Sequence, residues 1–480
     1  MSGETPVVSG AGSAEELAPS RRTLLVKPIL TYPLTTRQHQ TSWRNWGGIE
    51  TKQQVAQEVA RIQGELDGLR KAADFPLQFL PIASVRGVAQ LSAVEDIPKA
   101  DALLFYAAGD GAGDLMSEVN WIERLGKDTI FFVRHQSGPL YYWYEGVSAR
   151  FLRQHTDVQS AKTILCEDTV VDRMDEVLWR LRALAGLRAT VGSRILVVGP
   201  RDLRLWPPAE NVQDVVRLWK LELQTISFEE LGELLRAARK DQAAVSLARR
   251  RAEAYLRLPG TAMETEPRFV HNAFLLEQVL RELMKRAGCR AITLAACMST
   301  IIPIVETTAC LSLSTLNDAG YLALCEADFV AIPATMLLGN ISGRPTFMNA
   351  PTFPHEGVIT LAHCTAPRRM DGKSLAPARI MTHFESDYGA APKVEMPVGQ
   401  RVTMVVPDYA SKRWLGLSGR IESSPSFDIC RTQVDVRFQA PSLTVAQRMP
   451  GYRWVLIFGD YLRETGYALR RVPIAWDCLG

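Results

Sequence analysis

The sequence ETTACLSLSTLNDAGYLALCEADFVAIPATMLLGNISGRPTFMNAPTFPHEGVITLAHC, residues 306–364, places acidic, histidine and cysteine side chains among long apolar runs. Charged groups are rarely fully buried without partners, so this mixture indicates either a functional site or a surface helix. Apolar spacing predicts short helices over 311–319 and 329–338. CEAD (325–328) then falls at the start of the second helix, where the helix dipole favours acidic groups.

On the N-terminal side of this stretch, apolar runs alternate with helical patterns. Apolar residues from Val55 to Leu69 recur at helical spacing, and a long helical region is predicted over 228–287. Alternating strands and helices predict parallel, doubly wound sheets. Seven runs are typical of buried strands: 23–30, 77–83, 100–108, 128–134, 193–201, 221–227 and 291–297.

On the C-terminal side, helical periods give way to short strands. Residues 430–438 alternate, with Val434, Val436 and Phe438 on one face, as expected of a strand with one buried side. This region is predicted to be β-rich, antiparallel and barrel-like. The predicted strands are 345–350, 357–364, 378–384, 400–406, 414–422, 430–438 and 453–460.

The predicted fold class is therefore α/β, with two Rossmann-like doubly wound units followed by a β-rich, barrel-like C-terminal domain. The N-terminus, 1–22, is small, polar and rich in Gly, Ser and Pro, so it is expected to be disordered. The α/β domains are expected over 23–190 and 191–350, and the β-rich domain over 351–480.

Composition excludes some classes of partner. A net charge of +3 over 480 residues gives no reason to expect a nucleic acid or an anionic membrane. No run of about 18 apolar residues predicts a membrane span, and the N-terminus lacks the apolar core of a signal peptide. The eight cysteines include no CxxC pair, so free thiols in a cytoplasmic protein are expected.

Three further features each have two interpretations. GDGAGD (109–114) is either an ordinary turn or a loop whose glycines let the backbone approach a ligand. RHQSGPLYYWYEG (134–146) is either an aromatic wall for a sugar or packing in the core or at a subunit contact. Cys297 follows a predicted strand, where a nucleophile can lie, but no partnered base is visible.

The order of these parts and several phrases resemble the L-fucose isomerase and L-arabinose isomerase superfamily. The phrases are LSTLNDAGYLALCEADFVAIPATMLLGNISGRPTFMN (313–349), VITLAHC (358–364) and the late GD (459–460). The resemblance implies two Rossmann-like units and a β-rich domain. It also implies proton transfer between C1 and C2 of an open-chain sugar, assisted by a manganese-type cation and by carboxylates acting as acid and base.

The resemblance places the first metal-binding carboxylate at Glu326 and a site histidine at His363. Its second carboxylate position holds Asn349, and the position of a late histidine holds Arg453. Asn349 carries no charge, and Arg453 would repel a cation. No tightly bound metal or other cofactor is therefore expected. Mn²⁺ held by Glu326, Asn349 and His363 stays as an alternative.

Catalytic roles are expected for three residues. Glu326 would be the general base, with His363 as its partner. Arg453 would replace the charge of the cation and hold an anionic group or a developing oxyanion.

Substrate contacts are expected from Asn349 and from Tyr452 and Trp454, which flank the arginine. Asp318 is either a helix-end residue or a substrate contact. His383 contributes only if its strand folds over the site.

Three functions fit these expectations. The first is a sugar-isomerase-like enzyme of altered chemistry, acting by proton transfer without a tight metal on a sugar, sugar acid, sugar phosphate or specialised-metabolite precursor. The second is an orthodox Mn-dependent aldose–ketose isomerase. The third is a non-catalytic binding or structural subunit. We take the first as the working hypothesis. The resemblance also implies a homo-oligomer, trimeric or hexameric.

Overall fold

The computed structural model describes residues 18–19, 21–44, 47–108, 114–141, 164–200, 209–408 and 412–479, with the backbone alone described for 114–119 and 209–211. The chain divides into two compact units, one comprising Arg21–Ala189 and the other built mainly from Thr190–Gly480. Residues 109–113 of the GDGAGD run and 142–146 of the aromatic run lie outside the described residues.

The unit of Arg21–Ala189 contains a parallel sheet with helices between its strands. The strands are β1 (Leu24–Thr31), β2 (Leu77–Phe79), β3 (Ala83–Val85), β4 (Ala102–Ala107), β5 (Asp128–Val133) and β6 (Thr169–Val171). The helices are α1 (Lys52–Ala72), α2 (Val88–Ser92), α3 (Asp114–Leu125) and α4 (Met174–Thr190). The sheet order is β2-β1-β4-β5-β6, and β3 also pairs with β1. This order confirms the doubly wound arrangement.

The single strand predicted over 77–83 is wrong, because the structure has two short strands there. β2 pairs with the start of β1 and β3 with its end. Pro81 lies between them, and proline has no N–H to donate to a neighbouring strand. The break therefore follows from the missing donor.

The second unit begins with another parallel sheet. Its strands are β7 (Arg194–Val198), β8 (Glu222–Ile226), β10 (Ala291–Leu294) and β11 (Leu322–Cys325), in the order β11-β10-β7-β8. The helices are α5 (Ala209–Trp219), α6 (Phe228–Lys240), α7 (Gln242–Leu256), α8 (Pro267–Ala287), α9 (Ile301–Val305), α10 (Cys310–Asp318) and α11 (Ile332–Ser342).

The continuous helical region predicted over 228–287 is wrong, since a strand, β9 (Thr261–Glu264), interrupts it. Pro259 and Gly260 precede this strand. Helix α7 has already ended at Leu256, and Gly260 turns the chain into the strand with φ +71°. The chain then pairs in parallel with β14 (Ala378–His383), so a long-range sheet contact replaces the helix.

The sequence predicts that CEAD (325–328) starts a helix, and this prediction is wrong. Cys325 ends β11, which pairs in parallel with β10, and α11 begins only at Ile332. The apolar run over 321–325 was not recognised as a strand, because its four strand residues are too few to show a period.

The C-terminal region confirms the predicted β-rich barrel. Six antiparallel strands close on themselves in the order β16-β19-β12-β13-β18-β17, with β16 pairing back to β17. Apolar side chains such as Leu361, Val434 and Leu456 fill the core. The strands are β12 (Phe347–Pro351), β13 (Val358–His363), β16 (Arg401–Pro407), β17 (Arg413–Ser423), β18 (Thr432–Arg437) and β19 (Trp454–Phe458).

Four elements complete this unit. β14 forms a hairpin with β15 (Tyr388–Val394), which the sequence did not predict. β20 (Ala475–Cys478) pairs in parallel with β17. The helices are α12 (Ser442–Arg448) and α13 (Leu462–Leu469). Across the described residues, no helix is both long enough and apolar enough to pass through a bilayer.

Arg134, the first residue of the predicted aromatic wall, lies in the core of the N-terminal unit. Its side chain is fully buried and pairs with Glu58 at 2.5 Å and with Glu65 at 2.8 Å. The Tyr141 hydroxyl also donates to Glu58. Burial lowers the pKa of Arg134, but the hydrogen bonds that it donates to Glu65 and the charges around it outweigh burial, so the pKa is raised. These residues are interior packing, one of the two interpretations of the run.

Replacing Arg134 tests this network. Arg134→Leu removes the buried counter-charge of Glu58 and leaves only the exposed Arg61, at 3.2 Å, which is expected to cost about 3–5 kcal/mol of unfolding free energy. Urea unfolding followed by circular dichroism measures the loss.

The matched control is Arg173→Leu, since Arg173 pairs with Asp175 at the surface and should lose nothing measurable. Equal stabilities of the two variants would contradict the role given to Arg134.

Candidate functional site

The site is organised around a sharp turn after β11. Glu326 and Ala327 have φ values of 63° and 49°, the left-handed region that costs most residues about 1–2 kcal/mol each. The Glu326 N–H donates to the Cys297 sulfur at 3.4 Å. The Asp328 carboxylate accepts the N–H groups of Val330 and Ala331 at 3.0 and 3.4 Å. The turn is thus held from both sides.

Arg453 joins this turn to the barrel. It lies directly before β19 and donates from Nε to Asp328 Oδ2 at 2.8 Å, while Nη2 pairs with Glu326 Oε2. The side chains of Asp328, Arg453 and Glu326 are 0%, 10% and 26% exposed. Two protein carboxylates therefore engage the guanidinium, and Glu326 is the member of the three that solvent reaches most.

The surroundings shift all three pKa values upward. Burial raises the pKa of Glu326, the nearby Arg453 opposes this, and the negative charges of Asp328 and Glu385 raise it further. Burial likewise raises the pKa of Asp328 against the effect of Arg453. Burial lowers the pKa of Arg453, but the two carboxylates outweigh it. Arg453 stays charged, and Glu326 takes up a proton more readily than an ordinary glutamate.

His363 ends β13 and is buried. Its Nδ1 accepts the backbone N–H of Thr365 at 3.2 Å. Because an N–H can only donate, Nδ1 carries no proton and the neutral ring carries it on Nε2. Burial, Arg453 and His383 lower the pKa of His363 to about 3. At neutral pH this side chain is a hydrogen-bond donor and not an acid.

Asn349 lies on the inner face of the barrel. It pairs with Trp454, whose fully buried side chain belongs to the barrel core, and paired residues of antiparallel strands share a face. Asn349 Nδ2 donates to the Phe347 carbonyl at 2.9 Å. Its Oδ1 is buried and has no hydrogen-bond partner in the part of the chain that the structure describes.

The implied manganese site does not fit these residues. Donor atoms of Cys325, Glu326 and His363 lie within 4.8 Å of one another, near enough to share an ion. However, Glu326 already pairs with the cationic Arg453. A hydrogen bond to the Cys297 thiol and burial raise the pKa of Cys325, so this donor is a protonated thiol. Mn²⁺ prefers charged oxygen and imidazole ligands, and a fixed positive charge beside them opposes it.

Tyr452 and Trp454 have different surroundings. Tyr452 is 41% exposed, and its ring centre lies 4.8 Å from the guanidinium carbon of Arg453. Trp454 is fully buried. Of the two expected substrate contacts, Tyr452 alone offers a face to solvent.

His383 comes close to the site on the β14–β15 hairpin. It is buried, with Nδ1 3.1 Å from Ser386 Oγ and Nε2 3.3 Å from Glu385 Oε2. Burial lowers its pKa, with Glu385 opposing. Sequence reasoning missed Glu385, because the strand predicted over 378–384 ended before it. Its position after a histidine at a strand end was the available signal.

Several thiols surround the same region. Cys297 donates to the Leu294 carbonyl at 3.0 Å, besides accepting from Glu326. A hydrogen bond with Cys310, together with burial, raises the pKa of Cys364, and the contact with Cys430 opposes this. These thiols are packing groups, and Cys297 supports the Glu326 turn.

Asp318 is the last residue of α10. It is buried and accepts the Arg369 N–H at 2.7 Å, and its Oδ2 has no hydrogen-bond partner in the described ranges. Burial raises its pKa to about 7, with Arg368 and Arg369 opposing. This environment favours the helix-end interpretation over a substrate contact.

The sequence was compared with known proteins. No family model matches it, and no curated protein matches it. Among solved structures, one similarity is to a carbohydrate transporter from Acidothermus cellulolyticus 11B in complex with myo-inositol. The two are 11% identical, and the match covers 67% of this chain and 88% of that one. The TM-score is 0.17, which is too low to support any argument.

Asp318 gives a prediction on stability and pH. Its folded pKa of about 7 lies above the ordinary 3.8. At pH values between these two, the folded state therefore holds a proton that the unfolded state has lost. Stability should therefore fall as pH rises through this window. Asp318→Asn removes this titration. The difference in unfolding free energy between the variant and the parent chain should therefore be on the order of 2–4 kcal/mol more in favour of the variant at pH 8 than at pH 4. Urea unfolding at the two pH values measures this.

Asp214→Asn is the matched control, because Asp214 is an exposed carboxylate on α5. It should change the pH dependence little. An Asp318→Asn variant with the slope of the parent chain would contradict the buried-proton assignment.

Proposed function

We propose that this chain is an enzyme that acts on a sugar or sugar-derived substrate by acid/base proton transfer, without a tightly bound metal. The observation that carries the proposal is the pairing of Arg453 with Glu326 and Asp328. In the isomerase superfamily that the sequence resembles, the corresponding region holds a cation. A sugar as substrate rests on that resemblance.

Glu326 is the general base of the proposal. Its raised pKa and partial exposure suit a carboxylate that takes a proton from substrate and returns it. It would remove the proton from the carbon beside the carbonyl and deliver it to the carbonyl carbon, while the hydroxyl proton on the first carbon passes to the former carbonyl oxygen. Arg453 holds one oxygen of Glu326 and thereby orients the other.

His363 assists at the substrate oxygen. Its Nε2–H can donate to the carbonyl oxygen as negative charge develops there, in the manner of an oxyanion hole. A neutral imidazole suits this role, since it donates a hydrogen bond without giving up its proton. The low pKa of about 3 keeps it neutral over the physiological range.

Arg453 supplies part of the positive charge that a metal cation would supply. It contributes one positive charge next to the base, and Asp328 fixes its orientation through Nε. Tyr452 stacks on the guanidinium and presents an exposed ring, a surface of the kind that covers the apolar face of a sugar. A homo-oligomer, trimeric or hexameric, completes the proposal by resemblance, and the cysteine pattern of the sequence is the ground for proposing a cytoplasmic location.

Solvent-deuterium exchange tests the chemistry. The chain is incubated in D₂O with a panel of aldoses, ketoses, amino sugars and sugar acids, and deuterium uptake beside the carbonyl is followed by NMR. Glu326→Gln should reduce exchange about 100-fold or more, because general-base catalysis contributes at least that factor. Dialysis against a chelator should leave the rate within about twofold, since no metal takes part in this mechanism.

Glu306→Gln is the matched control, because Glu306 is an exposed glutamate paired with Arg239. It should exchange like the parent chain. Activity lost to the chelator and restored by Mn²⁺ would favour the orthodox isomerase. A correctly folded chain that exchanges no member of the panel would favour the non-catalytic subunit.

A further inference from the structure

The tip of the β14–β15 hairpin, residues 384–387, stands at the end of the barrel that carries His363. His363 pairs with Thr432 on β18. The preceding residue, Arg431, donates from Nε to the Thr382 carbonyl at 2.6 Å and from Nη2 to Thr382 Oγ1 at 3.0 Å. Thr382 Oγ1 in turn donates to Asp387 Oδ1 at 2.9 Å. This side-chain latch holds the tip beside the site.

The hairpin is also anchored from behind. Thr308 Oγ1 donates to the Ala390 carbonyl at 3.0 Å and accepts the Ala390 N–H at 3.2 Å. Gly389 has φ +78°, and a Cβ there would lie 2.4 Å from the Thr308 nitrogen. The backbone at this point approaches Thr308 so closely that only glycine fits. The tip is therefore fixed relative to α10.

Glu385 is the charged residue that the tip carries toward Glu326. Its side chain is 55% exposed and contacts His383. Its negative charge is near enough to raise the pKa of Glu326. The two carboxylates, one on the turn after β11 and one on the hairpin tip, therefore lie near enough for their charges to interact.

The cations of this region are already engaged. Arg453 pairs with Glu326 and Asp328, and Arg431 is bound to Thr382. The pKa values of His363 and His383 are lowered, so both rings are neutral at pH 7. The three carboxylates of Glu326, Asp328 and Glu385 outnumber the two positive charges of Arg453 and Arg431, which leaves the site negative.

One buried hydrogen-bond acceptor near these charges, on Asn349, also indicates what kind of ligand the site would bind. Asn349 Oδ1 is fully buried and has no hydrogen-bond partner among the residues described. Its neighbour in the chain, Ala350, pairs with Ala362, which precedes His363. A carbonyl oxygen in this position requires a donor. Carboxylates and an amide oxygen together favour a ligand that donates hydrogen bonds and carries positive charge.

We infer that Glu385 is a specificity residue of this site and that it selects a substrate bearing an ammonium group, such as an amino sugar, over one bearing a carboxylate or phosphate. This inference rests on the proposed function, because it names the substrate class of the same site. Among the sugars and sugar derivatives expected from the sequence, some of them anionic, it favours a cationic one, since Arg453 is engaged by protein carboxylates.

A matched series of sugars tests the inference. D-glucosamine, D-glucose and D-glucuronate, with the corresponding galactose series, share their skeletons and differ in charge. Isothermal titration with the full chain should show the amine bound most tightly and the acid most weakly. Glu385→Gln should weaken amine binding about fivefold and leave the neutral sugar unchanged, as expected for a partly exposed ion pair.

Glu422→Gln is the matched control, because Glu422 is a similarly exposed glutamate paired with Arg437. Arg437 lies five residues along β18 from Thr432, roughly 17 Å away at the rise of a strand. The sugar affinities of Glu422→Gln should equal those of the parent chain.

The outcomes separate the two proposals. Preferential binding of the acids, or an unchanged amine affinity in Glu385→Gln, overturns the inference and leaves the proposed function standing. A chain that binds no member of either series and shows no deuterium exchange overturns both.

Discussion

The ion pairs of Arg453 with Glu326 and Asp328 are the constraint on which the site depends. They join the turn after β11 to the first residues of β19. Both carboxylates are largely removed from water, and the desolvation of such groups costs several kcal/mol per ion unless a partner compensates. Losing the arginine would leave two negative charges together. The three side chains therefore form one unit, in which each is required by the other two.

The same unit accounts for the backbone around it. Glu326 and Ala327 adopt a left-handed conformation that neither residue favours. A strained turn persists only where surrounding contacts determine it. Here the contacts are the Cys297 sulfur on one side and the Asp328 cap before α11 on the other. The strain directs Glu326 toward Arg453 and His363, and the burial that follows raises its pKa.

Sequence periodicity was sufficient for most of the fold. The long helix α1 and the strands β4, β7 and β18 were predictable from apolar spacing alone, and the alternation of elements predicted the parallel sheets. Two of the failures have a common cause. β9 and β11 are four residues long, and their strand partners are distant in sequence, so local propensity was overridden by long-range pairing. Pro81 split one predicted strand for a reason visible in the sequence.

The site was predictable in part. The positions of Glu326, His363 and Arg453 followed from motif phrases, but their mutual contacts did not. The expectation that Arg453 would hold an anionic group treated its charge as available. Whether a guanidinium is free depends on which carboxylates lie within hydrogen-bond distance. The helix dipole already explained Asp328 in the sequence, so its contact with Arg453 was not expected. Glu385 was missed, because its relevance depends on the contact of Arg431 with Thr382, which its position in the sequence does not show.

Charge balance links these observations. Two carboxylates around a divalent cation sum to zero, whereas the same two around one arginine leave a single negative charge. Glu385, whose side chain is 55% exposed, adds another near the surface. An excess of negative charge in a partly buried site is relieved either by a proton or by a cationic ligand. The raised pKa of Glu326 is the first response, and an ammonium group beside it would be the second. Such a ligand would lower the pKa of Glu326 and so favour the carboxylate form that a general base requires. Binding of a cationic substrate would thus activate the base, a coupling that an anionic substrate would reverse.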